Sequence, residues 1–169
     1  MKDKSEFDGI LFLDIDGVLN TRSYMTKIYP LKNVEKDAIK WSQLDVDPKA
    51  VNVLNRILND LNLAIVLSSS WRKIDWHREA LFGVGIDNYS KRLLGYTGSI
   101  SSGERGTEIE MWIKENNYRK PFIIIDDEVS DMGKMLPNCL KINSEIGLTI
   151  EHVAKAIQLF EFVKLEQGN

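Results

Sequence analysis

Three observations predict an α/β domain with a parallel sheet of about five strands and helices on both faces. Short apolar runs alternate with amphipathic stretches along the 169 residues. The runs are continuous, as in strands buried on both sides, rather than alternating apolar and polar. Polar clusters recur directly after them: Asp14 and Asp16 after one, Ser68, Ser69 and Ser70 after another, Asp126 and Asp127 after a third. Strand–helix–strand crossovers are right-handed. Open sheets of this kind bind ligands beyond the carboxyl ends of the strands, where the strand order reverses.

The elements follow in order. The first strand covers residues 9–13 and runs into Asp14-Ile-Asp16, and Gly17 lets the chain turn sharply there. Residues 20–45 read as an irregular, mixed segment holding Tyr24, Tyr29, Pro30 and Trp41. It has room for a short helix over 34–40 and for use as a flap over the strand ends. Asp47-Pro48 begins a helix, with an N-cap followed by proline at the first helical position. Ala50, Val51, Val53, Leu54, Ile57, Leu58 and Leu61 then keep helical spacing. Residues 63–67 form the second strand, which ends in Ser68-Ser-Ser-Trp-Arg72. A helix over 75–82 and a strand over 92–96 come next. A Ser/Gly loop over 98–106 contains Glu104 and Arg105. The helix over 107–116 carries Ile109, Trp112 and Ile113 on one face. The strand over 121–125 ends in Asp126-Asp-Glu128, and a short helix begins near Val129. Residues 139–142 form the last strand. Thr149 caps a helix over 150–165.

Composition limits the function classes. With 43% hydrophobic and 28% charged residues, the chain reads as one globular domain over residues 1–169. A net charge of -3 argues against a broad nonspecific nucleic-acid surface, though not against a local basic groove. Cys139 is the only cysteine, so no internal disulfide forms, and a reducing cytoplasm is the expected compartment. The first residues carry mixed charge without a following apolar region, and no apolar run reaches the ~20 residues of a membrane helix. No Gly-x-Gly-x-x-Gly follows the first strand, which argues against a dinucleotide binder.

The acids carry the chemistry. Asp14 and Asp16 repel each other unless a cation compensates them, and hard oxygen ligands suit Mg²⁺. Two acid pairs at neighbouring strand ends would hold Mg²⁺ through few protein ligands and leave room for a phosphate oxygen. One carboxylate could then attack phosphorus. A second could protonate the leaving alcohol and later activate water. A hydroxyl, backbone N–H groups and a cationic side chain would hold the remaining phosphoryl oxygens.

These motifs resemble the haloacid dehalogenase-like (HAD) phosphohydrolases. Asp14-Ile-Asp16-Gly-Val-Leu-Asn20 is similar to the first family motif, Ala64-Ile-Val-Leu-Ser68 to the second, and Phe122-Ile-Ile-Ile-Asp-Asp127 to the fourth. The resemblance implies a Rossmann-like three-layer fold and a Mg²⁺-dependent phosphatase working through phospho-Asp14. Asp14 would be nucleophile and metal ligand. Asp16 would be the general acid/base and lend its backbone carbonyl to the metal. Ser68 would bind the phosphoryl group, and Asp126 and Asp127 would complete the metal site. The family's third-motif lysine is absent from its usual place, which Arg105 fills best, ahead of Lys114, Arg119 and Lys120. Arginine keeps its charge and can fork onto phosphate oxygens.

Ser-Ser-Trp-Arg72, the run from Arg105 to Trp112 and Gly147-Leu-Thr149 together resemble compact HAD domains of RNA-repair proteins and polynucleotide phosphatases. Ser69 and Arg72 are then candidate substrate contacts, with a structural ion pair the alternative for Arg72. Trp71 reads as packing, His77 and His152 as surface residues, and Cys139 as strand filler. Neither inter-motif segment holds a large cap, so an open site for a phosphorylated substrate such as a nucleotide or nucleic-acid end is expected. Two other classes stand beside the enzyme: a receiver-type phosphoacceptor domain and a non-catalytic binding domain of the same fold.

Overall fold

The computed structural model describes residues 6–32, 37–101 and 103–168. Among these residues lie five strands: β1 Gly9–Leu13, β2 Leu63–Leu67, β3 Leu93–Tyr96, β4 Phe122–Asp126 and β5 Cys139–Lys141. They form one sheet in the order β3-β2-β1-β4-β5, and every pair is parallel. β1, β2 and β4 are buried at every residue, which is why their sequences are unbroken apolar runs.

The period-2 alternation of each strand divides the core into two layers. Leu11, Leu13, Ile65, Leu67, Ile123 and Ile125 face one layer. There they meet Leu54 and Ile57 of α3 (Pro48–Asp60) and Val153 and Phe160 of α7 (Glu151–Gly168). Ile10, Phe12, Ala64, Val66, Phe122 and Ile124 face the other, against Ile109 and Trp112 of α6 (Arg105–Glu115). Phe12 lies at the centre of that second layer, edge-on to both Trp112 and Phe122. The predicted α/β class, the parallel sheet and the two-sided helical cover all hold.

Residues 20–45 depart from the irregular segment predicted. They contain α1 (Arg22–Lys32) and α2 (Ala38–Leu44). α1 is weakly amphipathic and interrupted late by Pro30, so no apolar stripe announces it. One local sign of its start is present. The Thr21 hydroxyl accepts from the Tyr24 N–H at 3.0 Å, an N-cap contact. The helix expected over 34–40 lies further on: Asp37 caps α2 through the N–H groups of Ile39 and Lys40, and residues 33–36 lie outside the described residues. α2 packs on α4 (Asp75–Ala80), and among the described residues the segment forms no separate cap domain.

Smaller differences follow from local chemistry. The helix expected near Val129 is a 3-10 turn over Gly133–Asn138, where Pro137 limits regular α-helical bonding. Arg92 closes the one-turn helix α5 (Tyr89–Arg92) rather than opening β3. Its buried guanidinium donates to the Leu58 and Leu63 carbonyls. Among the described residues no helix is long and apolar enough to cross a membrane.

Candidate active site

Register creates the site. Leu13 of β1 pairs with Leu67 of β2 and with Ile125 of β4. The next residue of each strand is Asp14, Ser68 or Asp126, so these three leave the sheet in one row. The ladder continues through them: the Ser68 N–H donates to the Leu13 carbonyl at 2.9 Å and the Asp14 N–H to the Ile125 carbonyl at 3.0 Å. The sheet order reverses between β1 and β4, which is where open α/β sheets place their ligand crevice.

Carboxylate oxygens of Asp14, Asp126 and Asp127 lie within 4.8 Å of one another. Asp14 and Asp126 are buried and Asp127 is half-buried. Burial raises all three pKa values above the ordinary carboxylate range. For Asp126, burial and then the charge of Asp14 push it up to about 7, against the pull of Arg105. Arg105 lies across the acids: Nη1 is 2.9 Å from Asp14 Oδ1 and 2.9 Å from Asp126 Oδ2. Burial of the guanidinium works against its charge, but Asp14 and Asp126 outweigh that and raise its pKa. The cluster could hold a divalent cation: it is all oxygen, and its residual negative charge exceeds what one arginine neutralises.

Arg105 reaches the acids because α6 starts two residues earlier than the Ser/Gly loop predicts. Glu104 is a poor N-cap, and the cap comes from a distance: Asp131 Oδ2 accepts from the Arg105 N–H at 3.0 Å. Gly106 lets the two segments meet, since a Cβ there would lie 2.1 Å from the Met132 carbonyl oxygen. On the opposite side Gly17 turns at φ 72, and a Cβ there would lie 2.4 Å from Asp127 Oδ2. Both glycines are therefore required by close approach of the acid-bearing loops.

The Ser-Ser-Ser-Trp-Arg stretch divides its work. Ser68 Oγ is fully buried with no hydrogen-bond partner among the described residues, an orphaned polar atom beside the acids. The Ser69 hydroxyl accepts from the Trp71 N–H at 3.4 Å, and its proximity to Asp14 favours that carboxyl's charged form. Arg72 takes the ion-pair alternative. Nη2 lies 2.6 Å from Glu108 Oε2, and the two terminal nitrogens donate to the carbonyls of Ser68, Ser69 and Gly98 and to Ser99 Oγ. With its terminal donors engaged and its side chain 6% exposed, Arg72 braces the serine loop against α6 rather than offering a fork to phosphate. Burial lowers its pKa, and Glu108 works against that.

Asp16 stands apart from the three-acid cluster. Its carboxylate is exposed and held by Asn20 Nδ2 at 2.9 Å, Trp71 Nε1 at 2.9 Å and Ser70 Oγ at 3.0 Å. Trp71 is buried as predicted, yet its indole N–H is also a polar contact of the site. Glu108, Asp131 and Asn20 are site residues that sequence reasoning misses. Asn20 closes the Asp-x-Asp-Gly run and also accepts from the Gly17 N–H at 3.0 Å, so its position is the available signal. Nothing local marks Glu108 or Asp131. The half-buried His152 joins the Thr149 hydroxyl and N–H through Nδ1, and Cys139 donates to the Met135 carbonyl.

Two outcomes are expected. Glu108→Ala leaves the Arg72 charge buried and should cost about 3 kcal/mol of stability in urea unfolding, while Arg72→Met with Glu108→Leu recovers much of it. Asp126 binds its proton more tightly in the folded chain than in the unfolded one. Its contribution to stability therefore falls as pH rises from about 4 to about 7. In EDTA, Asp126→Asn should melt above the parent at pH 8, and the gap should close as the pH falls towards 4. A gap that ignores pH would contradict this.

Comparison with known proteins agrees with this geometry. No curated protein and no solved structure matches the chain. A family model described as the HAD domain in Swiss Army Knife RNA repair proteins matches residues 10–153, a stretch that runs from β1 into α7 and takes in Asp14, Arg105 and Asp126. The chain belongs to that family, and with it to the HAD-type phosphohydrolases.

Proposed function

We propose that the chain hydrolyses phosphomonoesters through a phosphorylated Asp14, and that its substrate phosphate sits on a nucleic-acid end or a nucleotide. The observation that carries the reading is the row at the strand exits. A buried carboxylate, an unpartnered buried hydroxyl and an arginine bridging two acids lie at one switch point.

Asp14, Asp126 and Asp127, with the Asp16 backbone carbonyl, would hold Mg²⁺. When bound it supplies positive charge to the acids and to the phosphoryl oxygens. The remaining steps belong to the chain. A carboxylate oxygen of Asp14 attacks phosphorus and the bond to the leaving oxygen breaks. Asp16 delivers a proton to that oxygen, then takes one from the water that cleaves the phospho-aspartate. Ser68 Oγ donates to a phosphoryl oxygen, which satisfies its orphaned hydrogen. Arg105 holds Asp14 in place and offsets charge on the transferred group.

The substrate class draws on access and family. Among the described residues no cap covers the row, and a cavity of about 500 Å³ lined by Asp127, Lys141 and Asn143 adjoins it. Trp76 is 49% exposed, edge-on to His77, whose ring lies 4.6 Å from that of Trp71 beside Asp16. An exposed indole two ring contacts from the acid/base suits stacking of a terminal base. The family's description supports an RNA end. A lone cysteine suits the cytoplasm, the compartment we propose for a domain spanning residues 1–169.

A receiver reading fails on topology: receivers follow the order 2-1-3-4-5, and this sheet follows β3-β2-β1-β4-β5. A panel of 3′- and 5′-phosphorylated oligonucleotides, nucleotides, sugar phosphates and phosphopeptides, with and without Mg²⁺, separates the enzyme from a non-catalytic binding domain. Hydrolysis should need Mg²⁺, fall by roughly 10³-fold or more in Asp14→Asn, and fall by about 10²–10⁴-fold in Asp16→Asn, with both variants folded. Full activity in either variant removes the mechanism. Trp76→Ala should raise KM about tenfold for an oligonucleotide and far less for p-nitrophenyl phosphate.

A further inference from the structure

The carboxylate of Asp16 is unusual in how completely its orientation is determined. Oδ1 accepts from Trp71 Nε1 and Asn20 Nδ2, both at 2.9 Å. Oδ2 accepts from Ser70 Oγ at 3.0 Å. The two kinds of partner differ chemically. An indole N–H and an amide NH₂ only donate, so a proton on Oδ1 would face two hydrogens. A hydroxyl can donate or accept, so Ser70 serves Oδ2 in either state by rotating its hydrogen.

We propose that Trp71 and Ser70 are positioning residues for proton transfer: Trp71, with Asn20, reserves Oδ1 as an acceptor, and Ser70 makes Oδ2 the single oxygen through which Asp16 exchanges its proton. The proposal rests on the reading of Asp16 as acid and base. In the first step the Asp14 oxygen–phosphorus bond forms, the bond from phosphorus to the ester oxygen breaks, and the proton on Oδ2 goes to that oxygen. Ser70 then turns from acceptor to donor. In the second step water attacks phosphorus, its proton passes to Oδ2, and phosphate leaves with Asp14 restored. The fixed indole keeps the carboxylate plane constant through both steps. This gives the tryptophan of the Ser-Trp-Arg run a chemical task beyond packing.

Leaving-group dependence tests this, because proton delivery matters for a basic alkoxide and little for an acidic phenol. Values of kcat/KM are measured with Mg²⁺ for ethyl phosphate and p-nitrophenyl phosphate, in Trp71→Phe, Ser70→Ala, Ser70→Thr and Asp16→Asn. Trp71→Phe and Ser70→Ala should each lose about tenfold on ethyl phosphate and less than about threefold on p-nitrophenyl phosphate. Ser70→Thr, which keeps the hydroxyl, should recover the loss. Asp16→Asn should show the same preference, more strongly. Ser70 is exposed, so Ser70→Ala decides the matter even where Trp71→Phe unfolds. If Asp16→Asn discriminates between the esters while Trp71→Phe and Ser70→Ala slow both equally, the positioning role is overturned. If Asp16→Asn itself slows both esters equally, the acid assignment beneath the proposal fails instead.

Discussion

The crowding of carboxylates out of water at the strand exits is the constraint on which this molecule depends. Asp14, Asp126 and Asp127 are forced within 4.8 Å of one another by strand register, and their pKa values rise because burial removes the water that would screen them. A folded chain relieves this by binding a proton, as Asp126 does more tightly than an exposed acid, or by drawing positive charge from elsewhere. Arg105 supplies part of it, 2.9 Å from two of the acids. The remaining negative charge is what a divalent cation would offset in the proposed reading of the site. Stability is given up at the place that the proposed chemistry would use.

Much of the surrounding architecture serves to deliver that arginine. α6 must begin at Arg105, so its first N–H is capped by Asp131 from beyond β4. Gly106 permits the contact with Met132 that brings the cap within reach. One turn further along the same helix, Glu108 takes Arg72 in a buried ion pair, and Arg72 in turn gathers the carbonyls of Ser68 and Ser69. Helix start, serine loop and acid row are thus one mechanical unit. A buried pair of this type adds little net stability relative to an apolar replacement, and its value here lies in setting the relative position of two loops. An arginine suits both tasks, because its planar fork addresses several oxygens at once.

Legibility differs between elements for identifiable reasons. β1, β2 and β4 are legible to within a residue, since a strand buried on both faces must be a continuous apolar run. α3 is equally plain, with its Asp47 cap and Pro48. α1 is not, because a surface helix without an apolar stripe leaves only its Thr21 cap as a sign. The acids and Ser68 stand out because each polar cluster directly follows a buried apolar run, at the strand exits where an open parallel sheet binds its ligand. Arg72 is conspicuous but open in role, since a guanidinium can address phosphate or carboxylate equally well and only its neighbours decide.

Local order along the chain was sufficient to determine the fold class, the strand identities and the row of Asp14, Ser68 and Asp126, because burial and parallel pairing act on periodicity that a sequence displays. Folding alone decided that Arg72 closes on Glu108 and that Asp131 starts α6. It also decided that Trp71 reaches Asp16, a contact spanning 55 positions. These contacts join residues with no shared local pattern. They depend on where whole loops come to rest once the two core layers have packed.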